Sequence, residues 1–209
     1  MAVKIDEVID QLVIEGLSPV MLNEGFKLKN NRLFFRKVND CKQELVVSFR
    51  YIKGTESGYV TVTPNFSYEN MEKIVSYLKG EQFKKGWPTA AANIGNLRPQ
   101  RVFVEWPLTL TTDVITLGKL ISEYIKDYAL PFWNDYSSIE NLIKGYESQD
   151  PRLTLNGSGY RWRMVAANYI LQRIDLAKDI IKNWSRDEPL NQVLKGALQK
   201  ISEQVDFGK

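Results

Sequence analysis

Apolar and polar residues alternate along the segment from Phe26 to Phe66, and this alternation predicts several β-strands separated by turns. Successive side chains of a strand point to opposite faces of a sheet, so the strand predicted over residues 43–52 has one apolar and one polar face. The predicted apolar face of this strand consists of Leu45, Val47, Phe49 and Tyr51. Further strands are predicted over 32–38, 59–63 and 101–106. Pro64 is expected to end the strand at 59–63 or to mark an edge, because it has no amide donor.

Helical spacing of apolar residues is found on both sides of this segment. It predicts helices over residues 4–15, after Ser67 and at two further places before residue 150. Beyond residue 150 it predicts a helical hairpin and a final helix. The expected fold class is α+β, with an antiparallel sheet of about four strands covered by helices. We expect a single domain over 1–209, in which 1–150 form the sheet with its covering helices and 151–209 a C-terminal helical extension.

The composition is that of a globular protein, and the charge is distributed unevenly along the chain. The 209 residues are 44% hydrophobic and 25% charged, with a net charge of +3. This net charge is too small to indicate nucleic-acid binding by itself. Between Lys27 and Lys53, however, eight lysines and arginines stand against two acidic residues, Asp40 and Glu44. Lysines on sheet edges prevent aggregation, and the same residues also suit an anionic partner. Both interpretations remain open.

The sequence has no histidine and one cysteine, Cys41. These counts exclude a Ser-His-Asp triad, a Cys-His pair and zinc sites built from histidine or several cysteines. We expect no metal site and no cofactor, and an enzyme is disfavoured, although carboxylates, lysine or tyrosine can support catalysis without histidine. One cysteine forms no intramolecular disulfide, and the charged N-terminal segment resembles neither a signal peptide nor a membrane span. A cytoplasmic location is therefore expected.

Glycines and arginines around the predicted start of the C-terminal hairpin form a candidate anion-binding site. The residues are Gly157, Gly159, Arg161 and Arg163. Free backbone N–H groups at the beginning of a helix can hold an anion, and the arginines add positive charge. The spacing matches neither a P-loop nor a dinucleotide-binding motif. A flexible connection before the helix explains the same residues, so this alternative also stays open.

The least regular stretch covers residues 81–100. A connection of this length is uncommon within a compact domain and is often functional. Trp87 is followed by Pro88 in this stretch. The tryptophan can pack inward or contact a partner, and the sequence leaves both interpretations open.

Three pieces of the chain resemble a bacterial family known as domain of unknown function 4304. They are Gly25-Phe26-Lys27 with Asn31-Arg32-Leu33-Phe34-Phe35-Arg36, then Asn93-Ile94-Gly95-Asn96-Leu97, and Tyr128-Ala129-Leu130-Pro131-Phe132-Trp133 with Ser137-Ser138-Ile139-Glu140. The resemblance spans about residues 8 to 185. Members of the family carry an arginine where this chain has Asn93, and a preceding Cys-His pair that this chain lacks. The resemblance implies an α+β fold with a curved antiparallel sheet and no catalytic residues. Its relatives are similar to immunity proteins of bacterial toxin systems.

These observations favour a non-catalytic protein-binding module, such as an immunity-type protein, with no membrane partner. Arginine and aromatic residues are enriched at binding hot spots. The partner-binding candidates are Trp87 and six residues expected on the polar face of the sheet, Arg36, Glu44, Arg50, Arg101, Phe103 and Glu105. One alternative is an RNA- or DNA-binding module that uses the basic β-hairpin, where Phe34, Phe35 and Phe49 could stack on bases. The other is a binder of a small anionic ligand at Gly157 to Arg163.

Overall fold

A computed structural model describes residues 4–153, 158–187 and 192–203, with the backbone alone at 185–187. Its residue contacts divide the chain into two compact units. Unit 1 consists of Met1–Phe66 and Ala90–Ser137, and unit 2 of Ser67–Thr89 and Ser138–Lys209. The predicted division at residue 150 does not coincide with these units, because the segment 67–89 groups with the C-terminal helices. The expectation of a single domain stays a prediction.

Unit 1 contains an open antiparallel sheet, as the predicted α+β fold class requires. The strands of the described residues are β1 Lys27–Lys29, β2 Leu33–Val38, β3 Cys41–Tyr51, β4 Ser57–Tyr68, β5 Ala90–Ala91 and β6 Trp106–Thr109. Their order is β1-β2-β3-β4-β5, and β6 also pairs with β4. The predicted alternation is confirmed at Leu45 and Val47, whose side chains are buried on the inner face. Gln43 is buried on the same face, where it donates to the carbonyl oxygen of Trp133 over 3.1 Å.

Two strand boundaries differ from the prediction. The strand β4 continues through Pro64, because a proline lacks only the donor and its carbonyl oxygen still accepts from the amide of Ala92 over 3.2 Å. The strand predicted over 101–106 is wrong, since β6 begins at Trp106. The alternation that suggested it belongs to a loop, in which Val104 bonds to a side chain rather than to a neighbouring strand.

Helices pack on the inner face of this sheet. They are α1 Ile5–Gln11 and α2 Ser18–Asn23 with the π-helical segment Leu12–Leu17 between them, and α4 Val114–Tyr124 and α5 Leu130–Asp135 with the π-helical segment Ile125–Ala129 between them. Phe132 and Trp133 of α5 are fully buried, and the Trp133 indole donates to the carbonyl oxygen of Asn65 over 2.8 Å. Gly16 and Gly118 let the first π-helical segment approach α4, because a Cβ on Gly118 would lie 2.3 Å from the Gly16 Cα.

Unit 2 is helical. Its helices within the described residues are α3 Glu69–Lys79, α6 Ile139–Glu147, α7 Gly159–Ile170, α8 Ile174–Asp187 and α9 Gln192–Ser202. Helices α7 and α8 form the predicted hairpin, with the rings of Trp162 and Trp184 5.1 Å apart, and α9 is the predicted final helix. Helix α3 packs against α7 and α9. Within the described ranges of the chain, no helix has the length and apolar character that a membrane span requires.

Candidate functional site: the outer sheet face and two loops

The strand register places a basic, partly apolar surface on the outer face of the sheet. Residues that lie directly opposite each other on neighbouring strands share a face. Three rows follow from the pairings of β1, β2 and β3: Lys29, Leu33 and Val46, then Lys27, Phe35 and Glu44, then Lys37 and Lys42. Glu44 forms an ion pair with Lys42, and its side chain is only 12% exposed. Glu44 is therefore present on the predicted face, but its charge is already paired.

Arg36 does not belong to the outer face, so its predicted place beside Glu44 and Arg50 is wrong. The register sets Arg36 opposite the inward-facing Gln43. Its guanidinium donates to the Gln43 amide oxygen over 2.7 Å and to the Glu24 carbonyl oxygen over 2.6 Å, and it covers the Phe26 ring at 4.5 Å. Burial lowers the pKa of Arg36. The half-buried side chain therefore bonds within the inner layer and does not contribute to the outer face.

Arg50 and Glu105 are brought together as the sequence suggested. The Nη2 atom of Arg50 lies 2.7 and 3.0 Å from the two carboxylate oxygens of Glu105. The Arg50 guanidinium also covers the ring of Tyr59 at 4.7 Å. Tyr59 was not among the candidates, although its outward position in the alternating pattern of β4 was a signal for it. The three side chains form one cluster at the end of β3, in which Arg50 is exposed and Tyr59 and Glu105 are half-buried.

A second polar cluster of unit 1 joins α1 to the sheet. The carboxylate oxygen Oδ1 of Asp6 accepts hydrogen bonds of 2.7 Å from the Tyr51 hydroxyl and from Arg32. These two bonds lower the pKa of Asp6, the Tyr51 bond most strongly, and the same bond raises the pKa of Tyr51. The sequence pattern did not indicate this cluster, because its members come from α1, from the turn before β2 and from β3.

The Asn93 loop, residues 93–105, is held by one amide side chain. The Asn93 Oδ1 accepts from the backbone N–H groups of Gly95 and Val104, and its Nδ2 donates to the Val104 carbonyl oxygen, each over 2.9 Å. A Cβ on Gly95 would lie 2.1 Å from the Val102 carbonyl oxygen, so only glycine fits beneath the loop.

The tip of the Asn93 loop displays apolar side chains. Val102 and Phe103 are 58% and 57% exposed, next to Arg101, which is exposed and has a left-handed backbone with φ of 53°. The loop returns to the sheet through Glu105, which pairs with Arg50. Four of the predicted partner-binding residues, Arg50, Arg101, Phe103 and Glu105, therefore belong to one connected region of unit 1.

The Trp87 loop, residues 81–89, belongs to unit 2. Trp87 is 64% exposed, so the interpretation that it packs inward is wrong, and contact with a partner stays a prediction. The ammonium group of Lys84 lies 5.4 Å from the centre of its ring. The next two residues are fixed, since the Pro88 carbonyl oxygen accepts from Arg163 over 3.3 Å and the Thr89 hydroxyl donates to Glu72 over 2.9 Å.

A buried ion pair forms the base of the Trp87 loop. The Nε atom of Arg163 donates to the Glu72 carboxylate over 2.8 Å, and the two side chains are 18% and 11% exposed. Tyr146 contacts the same pair, and burial, followed by the charge of Glu72, raises its pKa to about 12. Burial opposes the charged form of Arg163, but Glu72 outweighs it and raises the arginine pKa.

The candidate anion site is only partly defined. Gly157 lies outside the described residues, and Gly159 is exposed at the first position of α7. Arg161 lies over the ring of Trp184 at 5.4 Å, and the charge of Arg163 is balanced by Glu72. Anion binding at these residues stays a prediction.

Comparisons with known proteins leave the family assignment open. Among the described residues, no group of three or more histidine, cysteine or acidic side chains is placed to hold a metal ion. The chain matches no family model, no curated protein and no solved structure. Its resemblance to the bacterial domain of unknown function 4304 therefore stays a prediction from the residues quoted above.

Proposed function

We propose that the protein is a non-catalytic protein-binding module whose partner contacts the Asn93 loop and the neighbouring outer face of unit 1. The observation that carries this proposal is the display of Val102 and Phe103 on a loop whose base is held by Asn93. Exposed apolar side chains on a fixed backbone favour binding, because little conformational entropy is lost when the partner arrives.

The residues beside the loop supply the polar part of such an interface. Arg50 is held in place by Glu105 and by the Tyr59 ring, and arginine and tyrosine are both common at binding hot spots. A central apolar contact with a polar rim is the usual arrangement of a protein–protein interface. An immunity-type role is the specific form of the proposal that the family resemblance suggests, in which the partner is a toxin.

A photo-crosslinking experiment in the native host tests the proposal. A benzophenone amino acid replaces Phe103, and the matched control replaces Leu22, which is 56% exposed in the same unit. We expect one discrete adduct from position 103 that is sensitive to protease and resistant to nuclease, and no such adduct from position 22. Equal adducts from both positions, or none from position 103, would contradict the proposal.

A further inference from the structure

Trp87 differs from every other tryptophan of the chain. Of the five tryptophans, Trp106, Trp133, Trp162 and Trp184 are at most 6% exposed, so Trp87 is the solvent-facing one. The backbone directly after it is held, because Pro88 and Thr89 are hydrogen-bonded to the buried pair of Arg163 and Glu72. A large aromatic ring exposed directly beside an immobile base indicates a contact site of unit 2.

The surroundings of Trp87 are basic and polar. Lys84 and Lys85 are exposed, and the acidic residue nearest in the chain, Glu81, is paired with Lys79. No acidic residue lies between positions 82 and 89. Gly86, with φ of 91°, turns the backbone between the two lysines and the tryptophan. The tip therefore carries two positive charges next to one aromatic face.

This chemistry distinguishes between two classes of partner. A tryptophan hot spot in a protein interface lies in a desolvated pocket within a ring of further packed contacts. Trp87 follows Lys84, Lys85 and Gly86 in the chain, and the ammonium group of Lys84 lies over its ring. Phe83 is half-buried, with the ammonium group of Lys73 5.7 Å from its ring. Single-stranded nucleic acid instead needs an aromatic face for a base and nearby cations for the phosphates.

We propose that the Trp87 loop binds single-stranded nucleic acid, with a base stacked on Trp87 and adjacent phosphates held by Lys84 and Lys85. This site is independent of the protein-binding region proposed for unit 1. It also differs from the basic β-hairpin, because it combines fewer cations with a largely exposed ring. Stacking tolerates any base, so we expect little sequence preference.

Intrinsic fluorescence provides the direct test, with the oligonucleotide (dT)15 as the probe at low salt. Because the other tryptophans are buried, quenching by (dT)15 reports on Trp87. The affinity is measured in parallel by the anisotropy of labelled (dT)15. We expect Trp87→Ala to weaken binding roughly tenfold, as the loss of one stacked base does, and Trp87→Phe to retain most of the affinity. Replacing Lys84 and Lys85 by glutamine should reduce the slope of log K against log salt by about 1.4.

The matched control replaces Lys144 and Lys195, two exposed lysines of the same unit, by glutamine. This variant has the same net charge as the Lys84 and Lys85 variant. Apart from a small loss of affinity caused by the lower net charge, it should bind (dT)15 like the unmodified protein. An unchanged denaturation midpoint of Trp87→Ala shows that the loss is not one of folding.

Three results would overturn the inference. The first is the absence of binding or of quenching at low salt. The second is binding that survives Trp87→Ala and is lost when Lys27, Lys29 and Lys37 become glutamine, which would place the nucleic acid on the β-hairpin. The third is equal quenching by poly-L-glutamate, which would assign the loop to acidic protein segments.

Discussion

The Asn93 loop and the Trp87 loop are anchored to their units by different kinds of side chain. Both are irregular segments with an exposed aromatic side chain at the tip, Phe103 in one and Trp87 in the other. The Asn93 loop is closed by a neutral amide that forms three hydrogen bonds to backbone groups. The Trp87 loop is held by a buried ion pair between Glu72 and Arg163, residues that are 91 positions apart.

The two kinds of anchor predict different losses of stability when the anchoring side chain is removed. A neutral amide that is removed leaves backbone groups that water can partly satisfy. A buried ion pair that loses one partner leaves an uncompensated charge in an apolar environment. We therefore expect the unit 2 anchor to determine the stability of its unit, and the unit 1 anchor to determine the conformation of its loop.

The largest effect is expected for Arg163→Ala. Glu72 would then be buried without its cation, and such a loss destabilises proteins by about 3–5 kcal/mol. Urea denaturation measures the change in the free energy of unfolding. The double variant Glu72→Leu with Arg163→Met removes both charges and should recover much of this loss. If the double variant is no more stable than Arg163→Ala, the anchor is not electrostatic.

An alkaline loss of stability is the next expected effect. The folded state raises the pKa of Tyr146 to about 12, whereas an unfolded tyrosine titrates near 10. The stability that the neutral Tyr146 hydroxyl contributes is therefore fully present below pH 10 and is lost as the pH rises through 12. Two pKa units correspond to about 3 kcal/mol. Tyr146→Phe should show a flatter decline of unfolding free energy between pH 10 and 12, while Tyr160→Phe should keep the steep one.

Asn93→Ala is expected to have an intermediate effect. The substitution removes the Asn93 amide to which the N–H and C=O of Val104 are hydrogen-bonded. Because these groups are partly buried, we expect the free energy of unfolding to fall by about 2 kcal/mol. Amide hydrogen exchange at Gly95 and Val104 should accelerate. Asn96→Ala, in the 3-10 helical turn Ile94–Leu97 that Asn93 caps, is the matched control. Equal exchange rates in the two variants would show that the Asn93 amide does not hold the loop.

The smallest effects on stability are expected at the two tips. Phe103→Ala and Trp87→Ala remove exposed side chains, so the free energy of unfolding should change by no more than about 0.5 kcal/mol. Thermal melting of both variants checks this. A loss as large as that of Asn93→Ala would mean that the tips are structural and would weaken both binding proposals.

The local parts of the fold were predictable from the sequence, and the long-range contacts were not. The alternation around Leu45 and Val47 identified the inner face of β3, because strand geometry is a local property. Arg36 was misplaced because its face depends on the register with Gln43 and on the position of Phe26. The false strand at 101–106 had an alternating pattern, but its hydrogen-bond partner is the Asn93 side chain.

The residues of the candidate site show the same difference between local patterns and long-range contacts. The pattern of charges and aromatics predicted that Arg50 and Phe103 point outward, and both side chains are exposed. Their contact with a partner stays a prediction. Glu72 was missed because a buried acid on an amphipathic helix has no local signal, and its cation comes from a distant segment. Trp87 illustrates a further limit, since a large aromatic side chain fits a core and a binding surface equally well until its exposure is known.

Affinity purification from the native host tests the central claim most directly. Tagged copies of the unmodified protein, Phe103→Ala and the equally exposed control Leu22→Ala are compared at matched abundance and with confirmed folding. We predict that one protein co-purifies in a stoichiometric amount with the unmodified chain and with Leu22→Ala, and that Phe103→Ala loses it. Retention of that protein by a folded Phe103→Ala variant, or the failure of any copy to retain a stoichiometric protein, would contradict the account.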